Sequence, residues 1–238
     1  MVLLFAVLTG CTGSPKETAD VRGATTSSAG SATTALTDLK RKVSANTGAY
    51  SVTFRDELAD DGGEPIVTTG RINLNGPYSG RYRMRIPAGD GLPEATVFEY
   101  LTTETASWNR ATEPKTMASR WGKVKRDGRP AISDTAGYAQ LLIGHGPSAY
   151  QGEKTLDGVR ATHLVGTLTP DEIDSIDPAL SKRLRTGKVS SLKCEIWVDA
   201  DGRAVRLDTE FTLAKTTTAS RLTLSGFGAP YVVKAPKT

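Results

Sequence analysis

Residues 81–86, with the sequence Arg-Tyr-Arg-Met-Arg-Ile, decide which class of fold this 238-residue chain can adopt. Three apolar side chains alternate with three arginines, and a period of two residues is typical of a β-strand with one apolar face. Such strands usually belong to antiparallel sheets, which bury one face and leave the other solvated. We interpret Arg81, Arg83 and Arg85 as the solvated outer face. The alternative is that the guanidinium groups bind phosphate or anionic head groups bidentately.

The same alternation recurs along most of the chain. Further strands are predicted at residues 50–54, 71–74, 97–101, 105–110, 161–168, 190–198, 204–213, 220–224 and 231–233. Asp157-Gly158 supplies hairpin geometry between two of the predicted elements. Asp199-Ala200-Asp201-Gly202 begins like a calcium loop, but Arg203 and Ala204 occupy positions where ligand and glycine are required, so a turn is predicted.

Three helices interrupt the strands. Apolar residues spaced by three and four over 36–43 predict a short helix ending near residues 46–48. Asp134 is placed to cap a second helix that stops at Gly144. Thr-Pro-Asp-Glu at 169–172 has the form of a capping box with proline at the first helical position. The order of elements predicts an α+β fold and not an alternating βαβ one.

Leu8-Thr9-Gly10-Cys11, at the end of an uncharged apolar run, has the form of a bacterial lipobox. We expect residues 1–10 to be a lipoprotein signal peptide and Cys11 to be lipidated after cleavage. The alternative is an ordinary buried apolar N-terminus that contains a cysteine. Secretory leaders begin with basic residues, and this one has none, so we expect the true start to lie upstream.

The rest of the composition indicates one folded domain. Residues 11–35 are mostly Thr, Ser, Ala and Gly, which predicts a flexible tether with little to bury, and residues 36–238 are then a single domain. The net charge is +4 and the pI about 9.0, which favours attraction to anionic membranes. No zinc motif, basic cluster or aromatic pattern indicates nucleic-acid binding. Cys194 has no cysteine partner if Cys11 is lipidated, and it is predicted to be a small buried residue.

The sequence offers little that indicates catalysis. His145 and His163 are the only histidines, and the Gly-His-Gly-Pro of 144–147 is not accompanied by a G-x-S-x-G nucleophile elbow. The chain lacks a P-loop, a dinucleotide-binding fingerprint and an H-E-x-x-H metal motif. We therefore predict a protein that is not an enzyme and has no cofactor and no metal site.

Several segments together resemble the LppX/LprG-type lipoproteins of actinobacteria. They are the lipobox with its polar tether, Trp121-Gly122 before the central helix, and three longer stretches. These stretches are Leu-Asp-Gly-Val-Arg-Ala-Thr-His-Leu-Val-Gly at 156–166, Glu-Ile-Trp-Val-Asp-Ala-Asp-Gly at 195–202 and Leu-Ser-Gly-Phe-Gly-Ala-Pro at 224–230. The resemblance implies a curved antiparallel sheet forming an unclosed half-barrel, similar to the LolA/LolB carriers, with helices across its concave face.

The resemblance also implies a function. The family accepts acyl chains of lipids or glycolipids in an apolar cavity between sheet and helices, for transfer through the cell envelope. Its implied partners are the membrane, through the lipid anchor, a lipid or glycolipid ligand, and an envelope transporter. The expected location is the outer face of the cytoplasmic membrane.

Four residues of the central helix are candidates to cover such a cavity: Tyr138, Leu141, Leu142 and Ile143. They could equally fill an ordinary core, since apolar residues at helical spacing usually pack inward. In that case the chain would be a tethered interaction or sensing module with no lipid ligand.

Overall fold

The fold is described from a computed structural model of the chain. It covers residues 22–89, 91–126 and 131–237, without the side chains of residues 22–29. The predicted signal peptide, Cys11 and the tether up to residue 21 lie outside the described residues. Among the helices that are described, none is both long and apolar enough to cross a membrane.

Within these residues the strands form one 11-stranded sheet in the order β6-β5-β4-β3-β2-β1-β11-β10-β9-β8-β7. Every neighbouring pair is antiparallel. The strands are β1 (Tyr50–Asp60), β2 (Ile66–Leu74), β3 (Ser79–Ile86), β4 (Thr96–Thr102), β5 (Ser107–Glu113), β6 (Gly122–Val124), β7 (Tyr150–Leu156), β8 (Val159–Leu168), β9 (Leu192–Asp199), β10 (Ala204–Leu213) and β11 (Thr216–Gly228). Strands β6 and β7 end the sheet without pairing to each other, so it is an unclosed half-barrel, and the predicted α+β fold class is confirmed.

Helices pack on the concave, inner face of the sheet. They are α1 (Arg22–Ala45), α2 (Thr135–Gly144), α3 (Pro170–Ile173) and α4 (Pro178–Thr186). Helix α2 contacts β8, β9 and β10, and α1 contacts α2 and β7. Helix α4 lies against the end of β10, where Arg183 stacks over the ring of Phe211. The helix layer therefore covers the half of the sheet that contains β7–β10.

The last turn of α1 fits closely against the turn between β9 and β10. Gly202 in that turn has a φ of +80°, and a Cβ added to it would lie 2.5 Å from the carbonyl carbon of Lys42. Asp199 caps the turn, since its carboxylate accepts hydrogen bonds from the backbone N–H groups of Asp201 and Arg203. The prediction that these residues form a turn is confirmed.

Helix α1 is longer than the sequence predicted. It begins at Arg22, so residues 22–35, predicted as part of the flexible tether, are helical, and Ala32 is buried. The hydroxyls of Thr34 and Thr37 bond back to carbonyls four residues earlier, so these polar side chains are satisfied within the helix, but such bonds do not stabilise it. The buried apolar positions from Leu36 onward then anchor the helix to the domain.

The chain end also differs from the prediction. Strand β11 continues to Gly228, and residues 231–233, predicted as a strand, are outside any strand. The main chain of Tyr231 pairs instead with a side chain, because Asn73 Nδ2 donates to its carbonyl and its N–H donates to Asn73 Oδ1. The Tyr231 hydroxyl donates to the carbonyl of Arg71 at 2.6 Å. The segment is therefore held beside β2 by the Asn73 side chain and not by strand pairing.

Candidate functional site

The four predicted cover residues lie on α2 at the centre of the core. Tyr138, Leu142 and Ile143 are buried, and Leu141 is half-buried. Leu142 is fully buried, and a Cβ added to Gly166 of β8 would be 2.6 Å from its Cδ2 atom. Helix α2 and β8 are thus as close as a glycine permits. This packing favours the alternative that these side chains fill a core.

A cleft of about 620 Å³ opens beside these residues, where the helix layer ends. One wall is the first turn of α2 with the segment before it, a second is the connection between α3 and α4, and the third is the sheet. Its lining residues are Tyr50, Asp56, Leu74, Asn75, Ala131, Ile132, Ser133, Asp134, Thr135, Ala136, Ile176, Asp177 and Pro178. None of the four predicted cover residues is among them. The volume is in the usual range for small-molecule sites.

The acidic groups in the cleft are engaged in local structure. Asp134 caps α2 by accepting from the N–H of Gly137 at 3.0 Å, and Asp177 caps α4 by accepting from the N–H of Leu180 at 2.9 Å. Asp56 faces inward from β1 and accepts from the hydroxyl of Ser220 at 3.0 Å. Burial raises the pKa of the Asp56 carboxyl above its ordinary value. The remaining walls offer Leu74, Ile132 and Ile176 as apolar surface.

An aromatic strip lies on the half of the inner face that contains β1–β5. The inner aromatic strip consists of Phe54, Tyr82, Phe98 and Tyr100. Ring centroids are 6.2 Å apart for Phe54 and Tyr82, 4.8 Å for the stacked Tyr82 and Tyr100, and 6.5 Å for Phe98 and Tyr100. Gly70 lies between the first two on β2 and leaves the space for their contact, since a Cβ there would be 2.4 Å from the Cβ of Tyr82.

The strip is partly open to solvent, in contrast to the interior beneath α2. Tyr82, Phe98 and Tyr100 are half-buried, and Leu58, farther along β1, is 37% exposed. Asp56 joins the two regions, because it lines the cleft and is the next inward-facing residue after Phe54. Cleft and strip therefore lie on the same inner face of the sheet, with the buried Phe54 between Asp56 and the half-buried aromatic rings.

The two histidines are tied to glutamates. His145 Nε2 lies 2.8 Å from Glu172 Oε1, and His163 Nε2 lies 3.2 Å from Glu195 Oε2. The His163 ring also stacks on Trp197 with centroids 4.3 Å apart, and burial lowers its pKa. Cys194 is buried as predicted, and burial raises the pKa of its thiol to about 12. Among the described residues, no histidine is hydrogen-bonded through its ring to a serine, threonine or cysteine side chain.

Glu172 completes the predicted capping box at the start of α3. Its carboxylate accepts from the N–H and the hydroxyl of Thr169, both at 2.7 Å, while its own N–H donates to the Thr169 hydroxyl at 3.3 Å. The backbone hydrogen bond from Thr169, the bond to His145 and the Thr169 hydroxyl lower the pKa of Glu172 to about 2. His145 therefore ties the end of α2 to the start of α3 through a structural contact.

The outer arginines behave as a solvated face. Arg81 pairs with Glu99 at 3.3 Å, Arg83 with Glu113 at 2.6 Å and Arg85 with Glu64 at 2.5 Å. All three guanidinium groups stay largely exposed. A glutamate thus occupies each position where an anionic head group would bind, which supports the surface interpretation.

The sequence did not predict the cleft, which lies at the first turn of α2, before the four candidate cover residues. The cleft is assembled from side chains that are distant in sequence, and its polar members carry no motif. The alternation that placed Tyr82 on an inner strand face was a usable signal for the strip, and Tyr100 has the same parity on β4.

Comparison with known proteins shows that the chain is similar to lipoproteins. Residues 119–233 match the model of the LppX_LprAFG lipoprotein family. The crystal structure of LprF from Mycobacterium bovis aligns with a TM-score of 0.54 at 17% identity, covering 86% of this chain and 98% of that one. The structure of the lipoprotein LppX from Mycobacterium tuberculosis aligns with a TM-score of 0.48 at 14% identity, covering 84% and 97%. No curated protein sequence matches this chain. The likeness to LprF extends to the fold.

Proposed function

We propose that this chain is a lipoprotein of the LppX_LprAFG type, whose family model its residues 119–233 match, and that it binds a lipid or glycolipid. In this proposal the acyl chains enter the cleft at the start of α2 and lie along the inner aromatic strip. The lipid is then carried through the cell envelope to a receiving transporter. The observation that carries the proposal is the cleft of about 620 Å³ together with the partly open aromatic strip on the same inner face of the sheet.

Burial of hydrocarbon provides enough driving force. Each methylene moved from water to an apolar surface contributes about 0.8 kcal/mol, so ten of them contribute roughly 8 kcal/mol before the entropic cost of association. Aromatic rings offer large contact area and lose few rotamers on binding. No nucleophile or proton transfer is needed, and we propose that the protein works without catalysis.

The N-terminal segment sets the proposed location. Lipidated Cys11 anchors the chain on the outer face of the cytoplasmic membrane, and the tether leads into α1. Helix α1 begins at Arg22, so residues 12–21 are the part of the predicted tether that lies outside the described residues.

The second candidate function is a tethered interaction module without a lipid ligand. The filled interior beneath α2 favours it, since Leu142 meets β8 with no space between them. Under this alternative the cleft holds water and the strip contacts a protein. The two functions differ in one property, which is whether acyl chains bind the inner surface.

A bulky residue at the mouth of the cleft tests the proposal. Ala136 lines the cleft and is exposed, so Ala136→Trp places an indole ring in the entrance with little effect on the core. Gln140→Trp is the matched control, because Gln140 is exposed one turn later on α2 and does not line the cleft. Binding of a fluorescent acyl lipid should fall at least tenfold for the first variant and stay unchanged for the second. Equal binding by both would place the lipid outside the cleft.

A further inference from the structure

A strongly basic segment forms one edge of the sheet, outside the cleft and the strip. Residues 115–126, called here the basic edge segment, contain five lysines and arginines and no acidic residue. Lys115, Arg120, Lys123 and Lys125 are all exposed. Within the described part of the chain, these four side chains have no ion-pair partner, whereas Arg81, Arg83 and Arg85 of the outer face are each neutralised by a glutamate.

The basic edge segment also presents apolar side chains. Met117 is 48% exposed, at the end of a 3₁₀ turn, and all residues from 115 to 120 are exposed. Trp121 is half-buried, with the guanidinium of Arg110 stacked 4.7 Å from its ring centroid. The basic edge segment thus combines lysine and arginine with an exposed methionine and an indole ring. This composition suits a membrane interface, where tryptophan is enriched.

The segment is held in place before any partner binds. The Ser119 N–H donates to the carbonyl of Ala111 on β5 at 3.0 Å, and the Ala111 N–H donates to the Ser119 hydroxyl at 2.9 Å. Strand β6, which contains Lys123, pairs with β5. Binding therefore needs little further ordering of this backbone, which lowers the entropic cost of docking.

We propose that the basic edge segment docks the domain onto an anionic phospholipid surface. Four unpaired cations give the charge complementarity, and Met117 and Trp121 supply apolar contact with the interface. An anionic polymer would engage the charges alone and would leave Met117 in water. The docking is separate from cargo binding, because none of the residues involved lines the cleft.

Docking at this edge brings the open half of the sheet to the bilayer. In the sheet order, β6 and β5 are followed directly by β4, which carries Phe98 and Tyr100 of the inner aromatic strip. The covered half, β7–β10, lies toward the opposite edge. A lipid leaving the membrane at the docked edge would thus reach the strip first.

The test measures vesicle binding by the full chain carrying Cys11→Ser, so that no acyl anchor contributes. The vesicles consist either of phosphatidylcholine alone or of equal parts phosphatidylcholine and phosphatidylglycerol. The readout is the affinity for the anionic vesicles divided by the affinity for the neutral ones. Apolar contributions that both vesicles share cancel in this ratio. Since each cation near the surface contributes about fivefold, the triple variant Lys115→Gln, Arg120→Gln, Lys123→Gln should lower the ratio by roughly 100-fold. Salt at about 1 M should abolish the preference as well.

A matched control changes the net charge equally at other places. Lys40 on α1, Lys154 on β7 and Lys182 on α4 are exposed, and their triple replacement by glutamine should leave the ratio unchanged. An equal loss in this control would overturn the proposal, because net charge alone would then explain the binding. Binding to soluble polyphosphate without binding to anionic vesicles would also overturn it and assign the segment to an anionic polymer. Uptake of fluorescent lipid is measured in parallel. Lost vesicle preference with normal uptake indicates that only docking has failed, whereas lost uptake with normal vesicle preference indicates that only the proposed cargo function has failed.

Discussion

Replacing Leu142 by tryptophan distinguishes a filled interior beneath α2 from a hollow one. Leu142 is fully buried and meets Gly166 of β8 at the closest distance a glycine allows. An indole ring has no space there, so overpacking should cost about 1–3 kcal/mol. For a domain of this size each kcal/mol lowers the melting temperature by about 2–4 °C. The expected decrease in melting temperature is therefore roughly 2–12 °C.

Thermal unfolding followed by circular dichroism, combined with lipid binding below the transition, measures both effects. We expect Leu142→Trp to lower the melting temperature while the folded fraction still binds lipid as the wild type does, since Leu142 does not line the cleft. Gln140→Trp, on the exposed side of the same helix, should change neither quantity. A Leu142→Trp protein with an unchanged melting temperature and no lipid binding would refute this reasoning and place the cavity beneath α2.

Three further predictions concern the frame of the domain and its anchor. Gly202→Ala should lower the free energy of unfolding by at least about 2 kcal/mol, because both the positive φ of Gly202 and its contact with Lys42 oppose a Cβ. Gly158 has the same φ of +80° but open space around it, so Gly158→Ala should cost less. Urea unfolding of the two variants measures the difference. The pKa of Glu172 is about 2 in the folded protein, below its ordinary value of 4.5. The stability that the Glu172 carboxylate contributes is therefore complete above pH 4.5 and is lost as the pH falls toward 2. The melting temperature of Glu172→Gln should accordingly be lower than that of the wild type at pH 7 and approach it near pH 2. Cys11→Ser should release the protein from membranes on fractionation, and a variant that stays membrane-bound would argue against lipidation.

Local signals in the sequence were sufficient for the elements with short-range causes. The capping box at Thr169, the cap of α2 by Asp134 and the alternation around Tyr82 each depend on residues within a few positions, and all three were predicted correctly. The fold class and the resemblance to LppX/LprG-type lipoproteins are confirmed as well. These features follow from periodicity, capping and the order of motifs along the chain.

The failures have a common physical origin in long-range contacts. Helix α1 extends back to Arg22 because its later turns are anchored on the domain, which composition cannot reveal. Residues 231–233 were predicted as a strand, but the backbone of Tyr231 is held by the side chain of Asn73, 158 residues away. The cleft was missed for the same reason, since Asp56, Ile132 and Ile176 meet only in the folded chain. Apolar spacing placed Leu142 on an inner helix face but could not tell whether that face meets a cavity or a strand.

Native mass spectrometry of the chain purified from the envelope of the organism that produces it tests the central claim most directly. The account predicts a complex heavier than the protein by the mass of a lipid or glycolipid, which is lost on collisional activation and is depleted in Ala136→Trp but retained in Gln140→Trp. A wild-type spectrum that contains only the mass of the lipidated chain, with no bound lipid at any activation energy, would contradict the account.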